Sequence, residues 1–560
     1  MKKLRNKKSI TTAVLMLLFT LCYGQVTFNK IPLDKQLVGR DLTTNIGNII
    51  IEGVVSNSTV DYSSIEVELY RNDEIQNTTT KTLDYNSDSA SFDFSIPILA
   101  ELANYSIKIY SLSEGTRTLE KEVIDIVAGD VYIIQGQSNA RANKYNGSAN
   151  GNRNNFIRVF ASGTPSATNL ENSSQWFIGQ GDGGTEGNGN TGQWGLKLAN
   201  SIISETNTPI AIFNGAHGGE RIDFFQAPED YKTSLSSNYG RLYYRLQNTR
   251  LKNHVRAIFW SQGESNGNNT TITQYKNAFV NLKKSWLTDY TNIEQTYIFQ
   301  SKKGCGVELM EVKEAQRQLA YENSDIQIMV TAGITHHTDG CHFPFKDGYE
   351  KFADRIFPLV MRDLYNESTL LEINPPMITN AYLSNETTLI VETDANELII
   401  PTIAEDFELS NAGSATITNI EVSKSDIIFT LSEYPGTNPE ISYLAQNTGT
   451  GNFIVNTNNL ELVCFYKYPI NTSILSINHL NLDKALLVYP NPTDKVFFIK
   501  LPVSENRVTV KIIDLLGKKI FDKKYYSNKF KIELPDVKSG IYLLRFEVNK
   551  KIIHKKIMIN

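Results

Sequence analysis

Four short stretches of the chain hold the side chains that acyl transfer to water requires. That chemistry needs a nucleophile, a base to take its proton, a carboxylate to orient the base, and donors for an oxyanion. Ser138 stands in Gly-Gln-Ser-Asn, directly after the apolar run Val131–Ile134. Gly136 lets the backbone turn sharply there, and a helix starting at the serine would aim free N–H groups at developing negative charge. NGAHGGERI, residues 214–222, offers paired glycines whose backbone N–H can approach a ligand closely. WSQGESN, residues 260–266, presents the amide of Gln262 and the carboxylate of Glu264. TDGCHF, residues 338–343, sets Asp339 three residues before His342. These types fill every role: Ser138 as nucleophile, His342 as general base, Asp339 as its orienter. The N–H groups of Ser138 and Gly219, with the Gln262 side chain, form the expected oxyanion hole. Gln137, Glu220, Arg221, Glu264 and Asn266 are the candidate substrate contacts. His217, His336 and His337 are alternative bases, but none has an aspartate three residues before it. No role calls for a metal or a cofactor. Singly each stretch has a structural alternative, such as a serine N-cap or a satisfied loop histidine.

Placing these groups together is the task of the elements around them. Apolar runs at Val131–Ile134, Ile157–Phe160, Ile210–Phe213, Ala257–Trp260, Tyr297–Phe299 and Ile326–Val330 read as strands. They alternate with helical periods at Trp194–Ile203, Tyr275–Leu287, Met310–Tyr321 and Tyr349–Leu364, the last with a kink expected at Pro358. Strands alternating with helices imply a mostly parallel sheet covered on both faces, with sites beyond the C-terminal strand ends. All four chemical stretches follow predicted strands. Residues 162–192, rich in Gly, Asn and Ser, read as a flexible surface loop, with a substrate lid as the alternative.

The remainder of the 560 residues divides by texture. Lys2, Lys3, Arg5, Lys7 and Lys8 precede an apolar stretch from Thr11 to Cys22, and Gly24 offers a cleavage position, so residues 1–24 read as a secretory signal peptide. That stretch is too short to span a bilayer, and no other is long and apolar enough. Residues 25–127 show short alternating runs without His or Cys, the pattern of a β-sandwich with a packing or binding role. Residues 373–470 read as a second all-β module after Pro375 and Pro376. Residues 486–560 form a compact basic unit of short strands. From Asn481 onward 17 Lys and Arg face 8 Asp and Glu, whereas Gln25–Leu480 has 33 against 52. An acidic body argues against a nucleic-acid partner. Three cysteines remain past the leader: Cys305, Cys341 and Cys464. Cys305 with Cys341 is the expected disulfide, since both fall in loops of one domain, with three free thiols as the alternative.

At these residues a resemblance appears. GQSN, the GG stretch, WxQGESN and the late DxxH resemble the blocks of SGNH (GDSL-like) hydrolases, most closely the branch of sialate O-acetylesterases and acetylxylan esterases, carbohydrate esterase family six. The resemblance covers residues 128–366. It implies a flavodoxin-like three-layer α/β/α domain flanked by all-β, Ig-like sandwich modules. It also implies an acetylated carbohydrate as substrate, no metal, and release of acetyl groups from sugar hydroxyls. The chain departs from the branch at Glu220 and Arg221, where Thr or Ser usually follows the second glycine, and this bears on sugar contacts rather than on the backbone donor. YPNPT (489–493), DLLGKKI (514–520) and SGIYLLRF (539–546) resemble the C-terminal sorting domain read by the type IX secretion system. That second resemblance implies export through the outer membrane to the surface or medium.

Overall fold

The structure is a computed structural model. It describes residues 25–56, 61–161, 166–184, 187–230, 232–302, 304–305, 307, 309–369, 371–400, 406–444, 453–472, 486–501, 508–525, 527–534, 536–548 and 551–560. The expected signal peptide lies outside the described residues, as does most of the stretch joining the last two modules.

The described residues fall into two compact units. The first comprises residues up to Leu33, Asn48–Ile98 and Ala103–Ile126. It holds a sheet of Val26–Lys30, Ile46–Ser56 and Ser89–Leu99. A second, antiparallel set joins Glu74–Thr82, Ser64–Arg71, Tyr105–Ser113 and the N-terminal part of Thr116–Gly136. Ser89–Leu99 alternates strictly between exposed and buried positions, as a strand with one wet face must.

The second unit contains Asp34–Gly47, Leu99–Leu102 and everything from Val127. Its central sheet is built from β1 (Thr116–Gly136), β2 (Ile157–Phe160), β3 (Trp176–Ile178), β4 (Ile210–Asn214), β5 (Val255–Ser261), β6 (Gln295–Gln300) and β7 (Ile326–Val330). The spatial order is β3-β2-β4-β1-β5-β6-β7, parallel throughout except for the edge strand β3. Five main helices cover it: α1 (Gln193–Thr206), α2 (Asn238–Asn248), α3 (Ile272–Asp289), α4 (Met310–Glu322) and α5 (Glu350–Tyr365). Along β1, Tyr132 and Ile134 pack into a core with Trp194, Leu198, Phe352 and Ile356 of α1 and α5. Val131 and Ile133 instead join Leu242, Phe279, Trp286 and Leu319 of α2, α3 and α4. The strands are thus buried on both faces, which is why they are apolar without alternation. Helix α5 continues through Pro358 and ends at Asn366, whose φ of 57° closes it.

Helix α2 and the edge strand β3 escape the sequence pattern. In α2 the buried positions include Arg245, whose Nε donates to Phe160 O at 2.9 Å and whose Nη1 donates to Asn214 O at 2.8 Å. The guanidinium satisfies carbonyls at the ends of β2 and β4, and burial pushes its pKa down to about 9.

Residues 378–469 form further sheets around a common core that includes Phe407, Phe429, Tyr443 and Phe465. This region is fastened to the α/β part at named points. Gln300 bonds both backbone groups of Cys464, Nε2 to O at 3.0 Å and Oε1 from N at 2.9 Å. Arg355 pairs with Glu461 at 2.7 and 2.8 Å and also donates to Val330 O at 2.8 Å. Gly333 packs tightly at this seam, where a Cβ would lie 1.8 Å from Glu461 Oε1 and push that side chain aside. Residues 487–559 form two antiparallel sheets over a core of Phe497, Ile512, Leu544, Phe546 and Ile557.

Candidate active site

Strands β4, β1 and β5 lie side by side, so the loops leaving their C-terminal ends meet above the sheet centre. Here the strand order also reverses, since the chain passes from β4 on one side of β1 to β5 on the other. Gly136 ends β1 with φ 129°, and a Cβ there would fall 2.1 Å from Ser261 O. Only glycine allows so close an approach, and it swings the chain into the short helix Ser138–Arg141. The turn is tied on both sides: His217 N donates to Gly136 O and Gln137 N to Ser261 O, each at 2.9 Å. Ser138 is 7% exposed at this turn. Among the described residues, neither the Ser138 nor the Gly219 N–H donates a hydrogen bond. Gly219 has φ 78° and open space on its Cβ side.

Loop 331–344 brings the imidazole. His342 Nδ1 lies 2.7 Å from Asp339 Oδ2, while Asp339 Oδ1 accepts the backbone N–H groups of Cys341 and His342, each at 3.0 Å. Partial burial would raise the pKa of Asp339, but these donors and the imidazole hold it well below the usual carboxylate range. Cys341 is joined to Cys305 by a disulfide, which pins this loop to the one following β6. The free thiol among the described residues is the buried Cys464.

Asn139, beside the serine, couples the loops. Its Nδ2 donates to Glu264 Oε1 at 2.9 Å and to Cys341 O at 3.3 Å. Its Oδ1 accepts from Tyr349 OH at 2.9 Å, and its carbonyl accepts from Trp194 Nε1 at 2.9 Å. The Ser138 turn and the His342 loop are therefore one hydrogen-bonded assembly.

The other expected site residues divide into two groups. Glu220 is half-buried and Arg221 exposed on the loop after β4, where Arg221 Nη2 donates to Thr270 Oγ1 at 3.0 Å. Gln137 and Asn266 are not open to a ligand, being 2% and 1% exposed. Gln137 Oε1 accepts from Gly263 N and Ser265 N, and Asn266 bonds Ile222 N and Thr270 Oγ1. The structure corrects the expectation for Gln262 as well: its Nε2 donates to Asn266 Oδ1 at 2.6 Å and to Glu220 O at 3.3 Å, so both hydrogens are engaged within the protein. These three amides tie loops together, because each is buried where every donor must find a partner.

Glu264 is buried, with Oε2 lacking a hydrogen-bond partner among the described residues, and desolvation raises its pKa. Buried polar atoms without partners also include Arg141 Nε, Asn143 Oδ1 and His337 Nδ1, all in the same loops. Of the alternative bases, His336 packs on Phe343, and burial aided by Lys302 lowers its pKa to about 4. His217 lies against Phe224 with ring centroids 4.9 Å apart. Among the described residues no three His, Cys, Asp or Glu side chains are grouped to hold a metal. Asn139 and Tyr145, whose ring stacks on His342, had no role in the sequence reading. Asn139 could have been found by its place in Gly-Gln-Ser-Asn; Tyr145 carries no signal.

Residues 128–356 match the carbohydrate esterase family of sialic acid-specific acetylesterases. Residues 487–560 match the secretion system C-terminal sorting domain. The two matches cover separate parts of the chain. Among solved structures, a carbohydrate acetylesterase from Xanthomonas citri superposes with a TM-score of 0.56 at 18% identity, covering 79% of this chain and 99% of its own. That likeness is one of fold. A protein from Arabidopsis thaliana gives a TM-score of 0.33 at 18% identity, covering 42% of this chain and 98% of its own. No curated protein matches the chain. Among the described residues no helix is long and apolar enough to cross a membrane.

Proposed function

We propose that residues 128–366 are an SGNH hydrolase of flavodoxin-like three-layer form that removes acetyl groups from sugar hydroxyls through a serine acyl-enzyme. Ser138 Oγ attacks the acetyl carbonyl while His342 Nε2 takes its proton. Asp339, bonded at Nδ1, keeps that tautomer and stabilises the imidazolium. The N–H groups of Ser138 and Gly219 receive the oxyanion, and Gln262 braces the loops around them. His342 returns the proton to the departing sugar oxygen. It then deprotonates the water that releases acetate and restores the serine. The observation that carries the reading is the 2.7 Å Asp339–His342 contact on a loop that Asn139 ties to the serine turn.

Glu220 and Arg221, half-buried and exposed on the loop after β4, are the proposed sugar contacts. The leader and the C-terminal sorting domain support export by type IX secretion machinery. The test is acetate release by the purified chain from acetylated sialosides, acetylated xylan and simple acyl esters. Acetate from at least one glycan, abolished in Ser138→Ala, supports the reading. Glycan binding without any acetate release would make the chain a glycan-binding protein instead.

A further inference from the structure

We infer that Tyr145 is a positioning residue for the base: its phenol ring, laid on the His342 imidazole, fixes the tilt of that imidazole. The inference rests on the functional reading above. The two ring centroids are 4.3 Å apart and the planes differ by 11°. Asp339 holds the imidazole by a single bond in the ring plane, at Nδ1. One in-plane bond leaves the ring free to rock about the line of that bond, and the rocking moves Nε2, the atom that must face the serine. A flat partner on the ring face removes this freedom, since stacked rings lose contact as soon as one tilts. The same face also favours the ring when it carries the proton.

Tyr145 is itself held. It belongs to the segment that leaves Ser138, and this segment is fixed to the far side of the His342 loop by Phe345 N donating to Asn146 O at 2.7 Å. His337 also approaches the Tyr145 ring, but at 5.5 Å and tilted by 42°, so it is not aligned by it. A sugar cannot use the ring face that His342 covers.

The experiment measures kcat and KM on an acetylated sugar for Tyr145→Phe, Tyr145→Leu, Tyr145→Ala, His342→Ala and the His342→Ala/Tyr145→Ala double variant of the full chain. Losing the stack should lower kcat about tenfold in the Leu and Ala variants, with KM nearly unchanged. Tyr145→Phe keeps the ring and loses only the hydroxyl, and should stay within about threefold of wild type. In the His342→Ala background, Tyr145→Ala should cost nothing further, because a residue acting through another loses its effect when the other is gone. If Tyr145→Ala does not fold, the contrast of Leu against Phe carries the test. Native kcat in Tyr145→Leu, a change confined to KM, or an undiminished Tyr145→Ala loss without His342 overturns the inference while leaving the triad in place. Near-native kcat in His342→Ala overturns the functional reading itself.

Discussion

Replacing Asp339 by asparagine is the sharpest test of the site, and its size can be worked from three hydrogen bonds. Asp339 Oδ1 accepts two backbone N–H groups at 3.0 Å, and Oδ2 accepts the imidazole Nδ1–H at 2.7 Å. An asparagine that keeps its oxygen on the two backbone donors turns its NH2 toward Nδ1. The ring must then accept there and carry its proton on Nε2, where it can no longer take one from Ser138. Flipping the amide restores the ring tautomer but abandons two backbone donors to an NH2 group. At about 1–3 kcal/mol for each of the two donors left unmade, the flip costs about 2–6 kcal/mol, and at ~3 kcal/mol roughly one molecule in a hundred holds the active tautomer. Losing the carboxylate beside the imidazolium removes a charge-assisted bond of about 1.5–3 kcal/mol, a further factor of ~10 to ~10². Together kcat should fall ~10³- to 10⁴-fold, with KM and melting temperature nearly unchanged. The assay is acetate release under saturating substrate, with circular dichroism to confirm folding. A folded Asp339→Asn within tenfold of wild type refutes the tautomer argument. A collapse in Glu264→Gln instead would give Glu264 the orienting role.

Ser138→Ala should lower kcat by at least ~10³ while leaving the fold intact, measured by the same assay with a melting curve; near-native turnover removes Ser138 as nucleophile. Glu264→Gln should affect stability through pH. Burial raises the folded pKa of Glu264 above its unfolded value, so the wild-type carboxyl is best tolerated below the unfolded pKa and becomes costly as pH rises through the folded one. The variant should therefore melt a few degrees higher than wild type at pH 8 and lose that advantage near pH 4, with kcat within about tenfold. A variant less stable at pH 8 than at pH 4, relative to wild type, contradicts this. Activity should survive exhaustive EDTA treatment, because every proposed step uses backbone N–H groups and an imidazole; loss followed by recovery on adding a divalent ion would contradict the mechanism.

Six strands of the sheet were readable because burial on both faces keeps them mostly apolar, and Arg158 in β2 and Gln327 in β7 interrupt their runs without hiding them. Helix α2 was not, since its buried side includes Arg241 and Arg245, whose charge disguises a face that Tyr239, Leu242 and Leu246 otherwise define. Strand β3 has three residues, too few to show any period. The chemical stretches stood out together rather than singly, because each alone has a structural use and only their shared place after strands of one sheet sets them apart. The amides misled: Gln137, Gln262 and Asn266 have the groups that bind sugars, and only their burial shows that they bind the loops instead. Tyr145 joins His342 across nearly two hundred residues, and a contact between stacked rings leaves no mark on local spacing.

The seam at Glu461 places the completion of the site in time. Gly333 and Ile334, on the way to Asp339 and His342, lie where Glu461 closes against the α/β part and pairs with Arg355, a partner 13% exposed in its side chain. The chain is made N-terminus first, so Ser138, Asp339 and His342 all exist long before Glu461 does. The loop that carries Asp339 and His342 thus takes part of its support from a region made after every one of the proposed catalytic side chains.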